Sequence, residues 1–132
     1  MNLDAPREAL RDAILAAGHA VQDLAESGFE TARKANEDPV TTADLAADRI
    51  LREALLDALP ASGWLSEETR DRPDRLDCQY VWIVDPVDGT KEFVSGIPEY
   101  AVSVALVYAG LPVLGAVYNP ARQELYMAAR GR

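Results

Sequence analysis

Two aspartates stand three residues apart in Asp85-Pro86-Val87-Asp88-Gly89-Thr90, directly after the apolar run Val81-Trp82-Ile83-Val84. The run is rich in β-branched and aromatic residues and reads as a buried strand, with Pro86 marking its end. Asp85 and Asp88 are therefore expected at the carboxyl end of a strand, where open α/β sheets place their ligands. Pro86 fixes one backbone angle and stiffens the turn. Gly89 lets the main chain approach a ligand closely, and Thr90 can start a helix whose free N–H groups face an anion. Hard oxygen ligands beside an anion hole suit magnesium and phosphate chemistry. Asp-Pro and Asp-Gly are also ordinary turn formers, so Asp-x-x-Asp alone does not decide the matter.

The elements that must position these residues follow from periodicity. Residues 6 to about 27 carry Leu10, Ile14, Ala17, Val21 and Leu24 at steps of four and three, the stripe of an amphipathic helix. Pro6 suits its first turn and Gly28 its stop. His19, the single histidine, lies off the stripe and is given no role. Residues 29 to 38 read as a polar loop with a short extended piece. Thr41-x-x-Asp44 matches a capping box and opens a second helix through about Leu59. Ala47, Leu51, Ala54 and Ala58, with Ile50 and Leu55 beside them, are its expected buried face. A short strand from Gly63 then runs into Glu67-Glu68, a second strand-end acidic position, followed by a charged loop over 70–77. Beyond the aspartates come a turn at Ser95-Gly96-Ile97-Pro98 and strands at 101–108, 113–118 and 125–129, an antiparallel meander. Tyr108, Tyr118 and Tyr126 are expected to pack the sheet.

Composition narrows the function classes. The chain has 132 residues, enough for one domain with a real core, and is 48% hydrophobic. Its net charge of −9 repels a phosphate backbone, so nucleic acid is not an expected partner. A small phosphate ester can still be held if metal ions reverse the local field. One cysteine, Cys78, permits no intrachain disulfide and suits a reducing compartment. No apolar run reaches the roughly 18 residues of a membrane span. The N-terminus does not read as a signal peptide, so the expectation is cytoplasmic, without a membrane partner.

The string Asp85-Pro86-Val87-Asp88-Gly89-Thr90 after a hydrophobic strand, with Glu67-Glu68 and Thr41-x-x-Asp44 upstream in that order, resembles the inositol monophosphatase superfamily of magnesium-dependent, lithium-sensitive phosphatases. The resemblance covers about Leu10 to Gly131. It implies an α+β fold, the N-terminal half of that family's layered α/β sandwich: two helices followed by a largely antiparallel sheet. It implies two or more Mg2+ ions, with Glu67, Asp85 and the Val87 carbonyl holding the first, and Asp85 and Asp88 a second. Asp88, Gly89 and Thr90 would bind the substrate phosphate. Thr90, oriented by Asp44, would help deprotonate the attacking water, making Asp44, Thr90 and Glu67 the catalytic set. Haloacid-type phosphatases carry a superficially similar Asp-x-Asp-Gly-Thr, but there the acids are two residues apart rather than three.

Within the superfamily, Thr90-Lys91-Glu92-Phe93 and Leu65-Ser66-Glu67-Glu68 look more like the 3'(2'),5'-bisphosphate nucleotidase branch, which converts phosphoadenosine phosphate to AMP and phosphate. Inositol-1-monophosphatase or a related sugar-phosphate phosphatase is the alternative. The family's second half carries a Trp-Asp motif that completes the second metal position. Neither Trp64, followed by Leu65, nor Trp82, followed by Ile83, matches it. Residues 1–132 are thus expected to be the N-terminal metal- and phosphate-binding domain without its C-terminal companion. Two consequences are expected: self-association, such as a dimer, and impaired turnover. The reading from another class is a non-catalytic metal- or phosphate-binding module.

Overall fold

The computed structural model describes residues 2–36 and 38–131. Helix α1 spans Asp4–Ser27 and buries Leu10, Ile14, Ala17 and Val21, as its spacing predicts. Gly28, at φ 116°, takes a conformation other residues avoid and ends the helix through its N–H bond to the Leu24 carbonyl. Two three-residue strands, β1 (Thr31–Arg33) and β2 (Pro39–Thr41), pair antiparallel where a loop with a short extended piece was expected.

Helix α2 (Thr42–Ala58) begins on the capping box that the sequence indicates. Thr41 Oγ1 accepts from the N–H groups of Ala43 and Asp44, and the Thr41 N–H donates to the Asp44 carboxylate at 2.8 Å. The buried face of α2 differs from the expected one. Ala54 and Ala58 are exposed, whereas Asp44 and Asp48 are buried beside Ala43, Ala47, Leu51 and Leu55. An alanine stripe costs nothing in water, so the larger leucines and the two hydrogen-bonded acids set the rotation of the helix.

A five-stranded sheet follows, with spatial order β3 (Gly63–Ser66), β4 (Tyr80–Asp88), β5 (Ala101–Tyr108), β6 (Leu111–Asn119) and β7 (Glu124–Ala129). Strands β3 and β4 run parallel and every other pair is antiparallel, giving the largely antiparallel α+β arrangement. A short helix, α3 (Thr90–Val94), leaves the end of β4. Helices α1 and α2 pack on each other and on one face of the sheet, α1 against β5 and β6, α2 against β3 and β4. Trp82, Val84, Val102, Val104, Leu106, Leu114, Ala116 and Tyr118 cover that face. The opposite face exposes Ile83, Val117 and Tyr126. Tyr126 is therefore not a packing residue as expected: it is 64% exposed and its hydroxyl donates to Glu124. Tyr108 does pack, in a tilted ring pair with Tyr80.

Strand β4 does not stop at Pro86; it continues to Asp88, but its register against β5 breaks between the two aspartates. Asp85 lies opposite Ser103, and Asp88 lies opposite Ala101. One extra residue on β4 is thus absorbed as a bulge, at a point where proline has no N–H to offer the ladder.

Close packing of α1 on β6 depends on Gly18. A methyl group there would lie 2.3 Å from two ring carbons of the buried Tyr118. Gly18→Ala should therefore destabilise the chain by about 2 kcal/mol in urea unfolding, overpacking outweighing the gain of about 1 kcal/mol in helix propensity. Equal or higher stability would show that Tyr118 moves aside freely.

Candidate metal- and phosphate-binding site

The bulge decides where the two aspartates point. In a regular strand residues three apart face opposite sides, whereas the β5 partners Ser103 and Ala101, two apart, share a side. The extra residue therefore brings Asp85 and Asp88 to the same side, and both line a cavity of about 280 Å³. Glu67, Val87, Gly89 and Thr90 line it too, together with Lys34, Asp38, Pro39, Lys91 and Glu92. Glu67 arrives from the end of β3, tied to β4 by its N–H to the Val84 carbonyl at 3.4 Å. Gly89 caps α3 with φ 89°, and a Cβ there would lie 2.8 Å from the Glu99 carbonyl, so only glycine fits this turn.

Asp44 stands behind the cavity wall. Its Oδ2 accepts from the Thr41 N–H and hydroxyl, both at 2.8 Å. Its Oδ1 lies 2.9 Å from the Thr90 hydroxyl, which is also 3.0 Å from the Val87 carbonyl. The single Thr90 proton is committed to these acceptors, which leaves the oxygen's lone pairs for the cavity.

Two residues of this region escaped sequence reasoning. Lys34, on the β1–β2 connection, places its ammonium 2.7 Å from the nearly buried Glu68 carboxylate. Burial works against the Lys34 charge, but its bond to Glu68 and the nearby Glu67 and Asp44 outweigh this and raise its pKa. Burial raises the Glu68 carboxyl as well, more than Lys34 offsets. Asp48 accepts from the hydroxyls of Ser66 and Thr69, on either side of the two glutamates. A lysine in a polar loop and an acid one helical turn after a cap carry no distinctive sequence signal.

Electrostatically the site carries excess negative charge. Burial, then repulsion from Glu67, Asp88, Glu68 and Asp44, pushes the Asp85 carboxyl up to about 6. Among the described residues, no three acid, imidazole or thiol side chains converge closely enough to enclose a metal ion as they stand. The donor set nevertheless fits a hard divalent cation in type and charge. Magnesium is commonly held by one or two carboxylates and keeps several waters, so it requires no closed protein cage.

A family model for the inositol monophosphatase family matches residues 2–132. The chain belongs to the inositol monophosphatase family. It is 42% identical over 121 residues to a 3'(2'),5'-bisphosphate nucleotidase of Salmonella typhimurium, covering 88% of this chain and 48% of that protein. It is 43% identical over 121 residues to an inositol-1-monophosphatase of Rhizobium meliloti, covering 90% of this chain and 45% of that one. The solved structure of an IMPase/NADP phosphatase complexed with Mg2+ and phosphate superposes with a TM-score of 0.83 at 26% identity, covering 95% of this chain and 48% of that one. The chain thus spans about half the length of the curated relatives it matches. Among the described residues no helix is long and apolar enough to cross a membrane.

The raised Asp85 value has a definite sign. A carboxyl whose pKa rises from 3.8 to about 6 on folding contributes stability below the lower value and loses it as pH rises through the upper one. In chelator, Asp85→Asn should therefore melt higher than the parent chain at pH 7.5, and this advantage should shrink toward pH 5. An advantage independent of pH would show that Asp85 is not under this strain.

Proposed function

We propose that this chain forms the metal- and phosphate-binding part of a magnesium-dependent phosphomonoesterase. The observation that carries the reading is the bulged end of β4, which turns Asp85 and Asp88 into one cavity with Glu67, Gly89 and Thr90. Membership of the family and the likeness to a structure complexed with Mg2+ and phosphate support it.

Glu67, Asp85 and the Val87 carbonyl would hold one Mg2+, and Asp85 with Asp88 a second. When bound, these ions would supply Lewis acidity at the phosphoryl group. The chain's own part is positioning and proton control. Gly89 and Thr90, at the start of α3, present main-chain N–H groups to an anion. Thr90 Oγ1, whose proton is directed at Asp44 and the Val87 carbonyl, would take a proton from the attacking water while its own proton passes to the Asp44 carboxylate. Asp44 spends its other oxygen on Thr41, so it is fixed in orientation at the moment it is needed.

For the substrate, Thr90-Lys91-Glu92-Phe93 supports a 3'(2'),5'-bisphosphate nucleotide such as phosphoadenosine phosphate. Lys91 lines the cavity, where a cationic side chain suits a second phosphate. An inositol monophosphate is the second reading, favoured by the 43% identity to the Rhizobium meliloti enzyme.

Phosphate release by the 132-residue chain, with and without Mg2+, tests the proposal. Mg2+-dependent release from phosphoadenosine phosphate, abolished in Asp88→Asn, is the expected result. Preference for inositol monophosphate would move the chain to the second branch. No release from a folded chain that still binds Mg2+ would make it a non-catalytic binding module.

A further inference from the structure

Glu67 and Glu68 sit on the turn that ends β3, and nothing in the β3–β4 ladder beyond the single Glu67 N–H bond fixes that turn. Two further ties hold it: the Lys34 ammonium, 2.7 Å from the Glu68 carboxylate, and a clamp that reaches the residues on either side of the glutamates from the helix layer. Ser66 immediately precedes the glutamates and Thr69 immediately follows them, and each donates its hydroxyl to a different oxygen of Asp48 on α2. Both hydroxyls are also acceptors: Ser66 Oγ receives the Glu68 N–H at 3.2 Å, and Thr69 Oγ1 receives the Trp64 indole N–H at 3.2 Å. With those lone pairs engaged, each hydroxyl proton is directed at the carboxylate. Asp48 is 8% exposed, and a buried carboxylate is tolerable only while such donors are in place.

We infer that Asp48 is a positioning residue for the glutamate turn, acting through Ser66 and Thr69 to set where Glu67 faces the cavity. Asp48 lies four residues after Asp44, on the same side of α2. One helix therefore clamps both acid-bearing segments: Asp44 holds the end of β4 through Thr90, and Asp48 holds the end of β3. The distance between Glu67 and Asp85 is then governed by two buried carboxylates one helical turn apart. The inference rests on the reading of Glu67 as a metal ligand.

The test uses Mn2+ as the probe, with free ion counted by electron paramagnetic resonance, and the 1H–15N spectrum of the same chain. Asp48→Asn can accept through one oxygen only and presents its NH2 to a donor hydroxyl. It should weaken Mn2+ binding about tenfold, as loss of a residue supporting a metal ligand commonly does, and shift the Glu68 amide while the α1 amides stay in place. Ser66→Ala and Thr69→Val, each losing one hydroxyl, should weaken it about threefold, and they carry the test if Asp48→Asn does not fold. Leu51→Val, a core change on α2 away from the turn, should lower the melting temperature without changing Mn2+ affinity. Unchanged affinity in the three turn variants, or an equal loss in Leu51→Val, would overturn the inference. Glu67→Gln separates the two claims. If it binds Mn2+ like the parent, the ligand reading fails, and the Glu68 amide alone decides whether Asp48 positions the turn: a shift in Asp48→Asn upholds it and no shift overturns it.

Discussion

Asp44 is 1% exposed and among the described residues has no basic partner in hydrogen-bond contact, yet three donors converge on it. Burying a carboxylate costs several kcal/mol unless its oxygens are satisfied, so the groups that satisfy it are constrained as strongly as the acid itself. Two of the donors belong to Thr41 and define where α2 begins. The third belongs to Thr90 and defines where α3 begins, 46 residues later in sequence. The helix layer and the end of β4 are registered to each other through this one group. The cavity wall built from Val87, Gly89 and Thr90 inherits its shape from that contact.

The acids in the cavity and behind its wall are of two kinds. Asp44 and Asp48 are buried and accept from threonine and serine, which fixes their orientation. Asp85 is different: half-buried and facing Glu67 and Asp88, it resists ionisation up to about pH 6. The two kinds of acid thus differ in how far the fold itself compensates their charge. Lys34 pairs with Glu68, which offsets one carboxylate beside the Glu67, Asp85 and Asp88 cluster.

Much of this was legible in the chain because it rests on local rules. The α1 stripe, the Thr41–Asp44 box, the strand ending at Glu67 and the three-strand meander each follow from periodicity or capping. Elements that depend on distant partners were not legible. The β1–β2 pair is held by backbone bonds that its polar sequence does not advertise, and Lys34 finds Glu68 only because that pair brings it across. The rotation of α2 follows from Asp48 meeting Ser66 and Thr69, 18 and 21 residues away, so the acids and leucines occupy the face on which spacing alone places Ala54 and Ala58. Pro86 reads as a strand end, because proline lacks a ladder donor. In the fold it marks a bulge instead, and that bulge is what aims both aspartates the same way.

The most direct test is a crystal of this chain soaked in Mn2+ and measured for anomalous scattering. A peak within direct coordination distance of the Glu67 and Asp85 carboxylates and the Val87 carbonyl is the expected result. Saturating Mn2+ with no peak in that cavity, or a peak held only by other surface acids, would contradict the assignment of the bulged β4 end as a metal site.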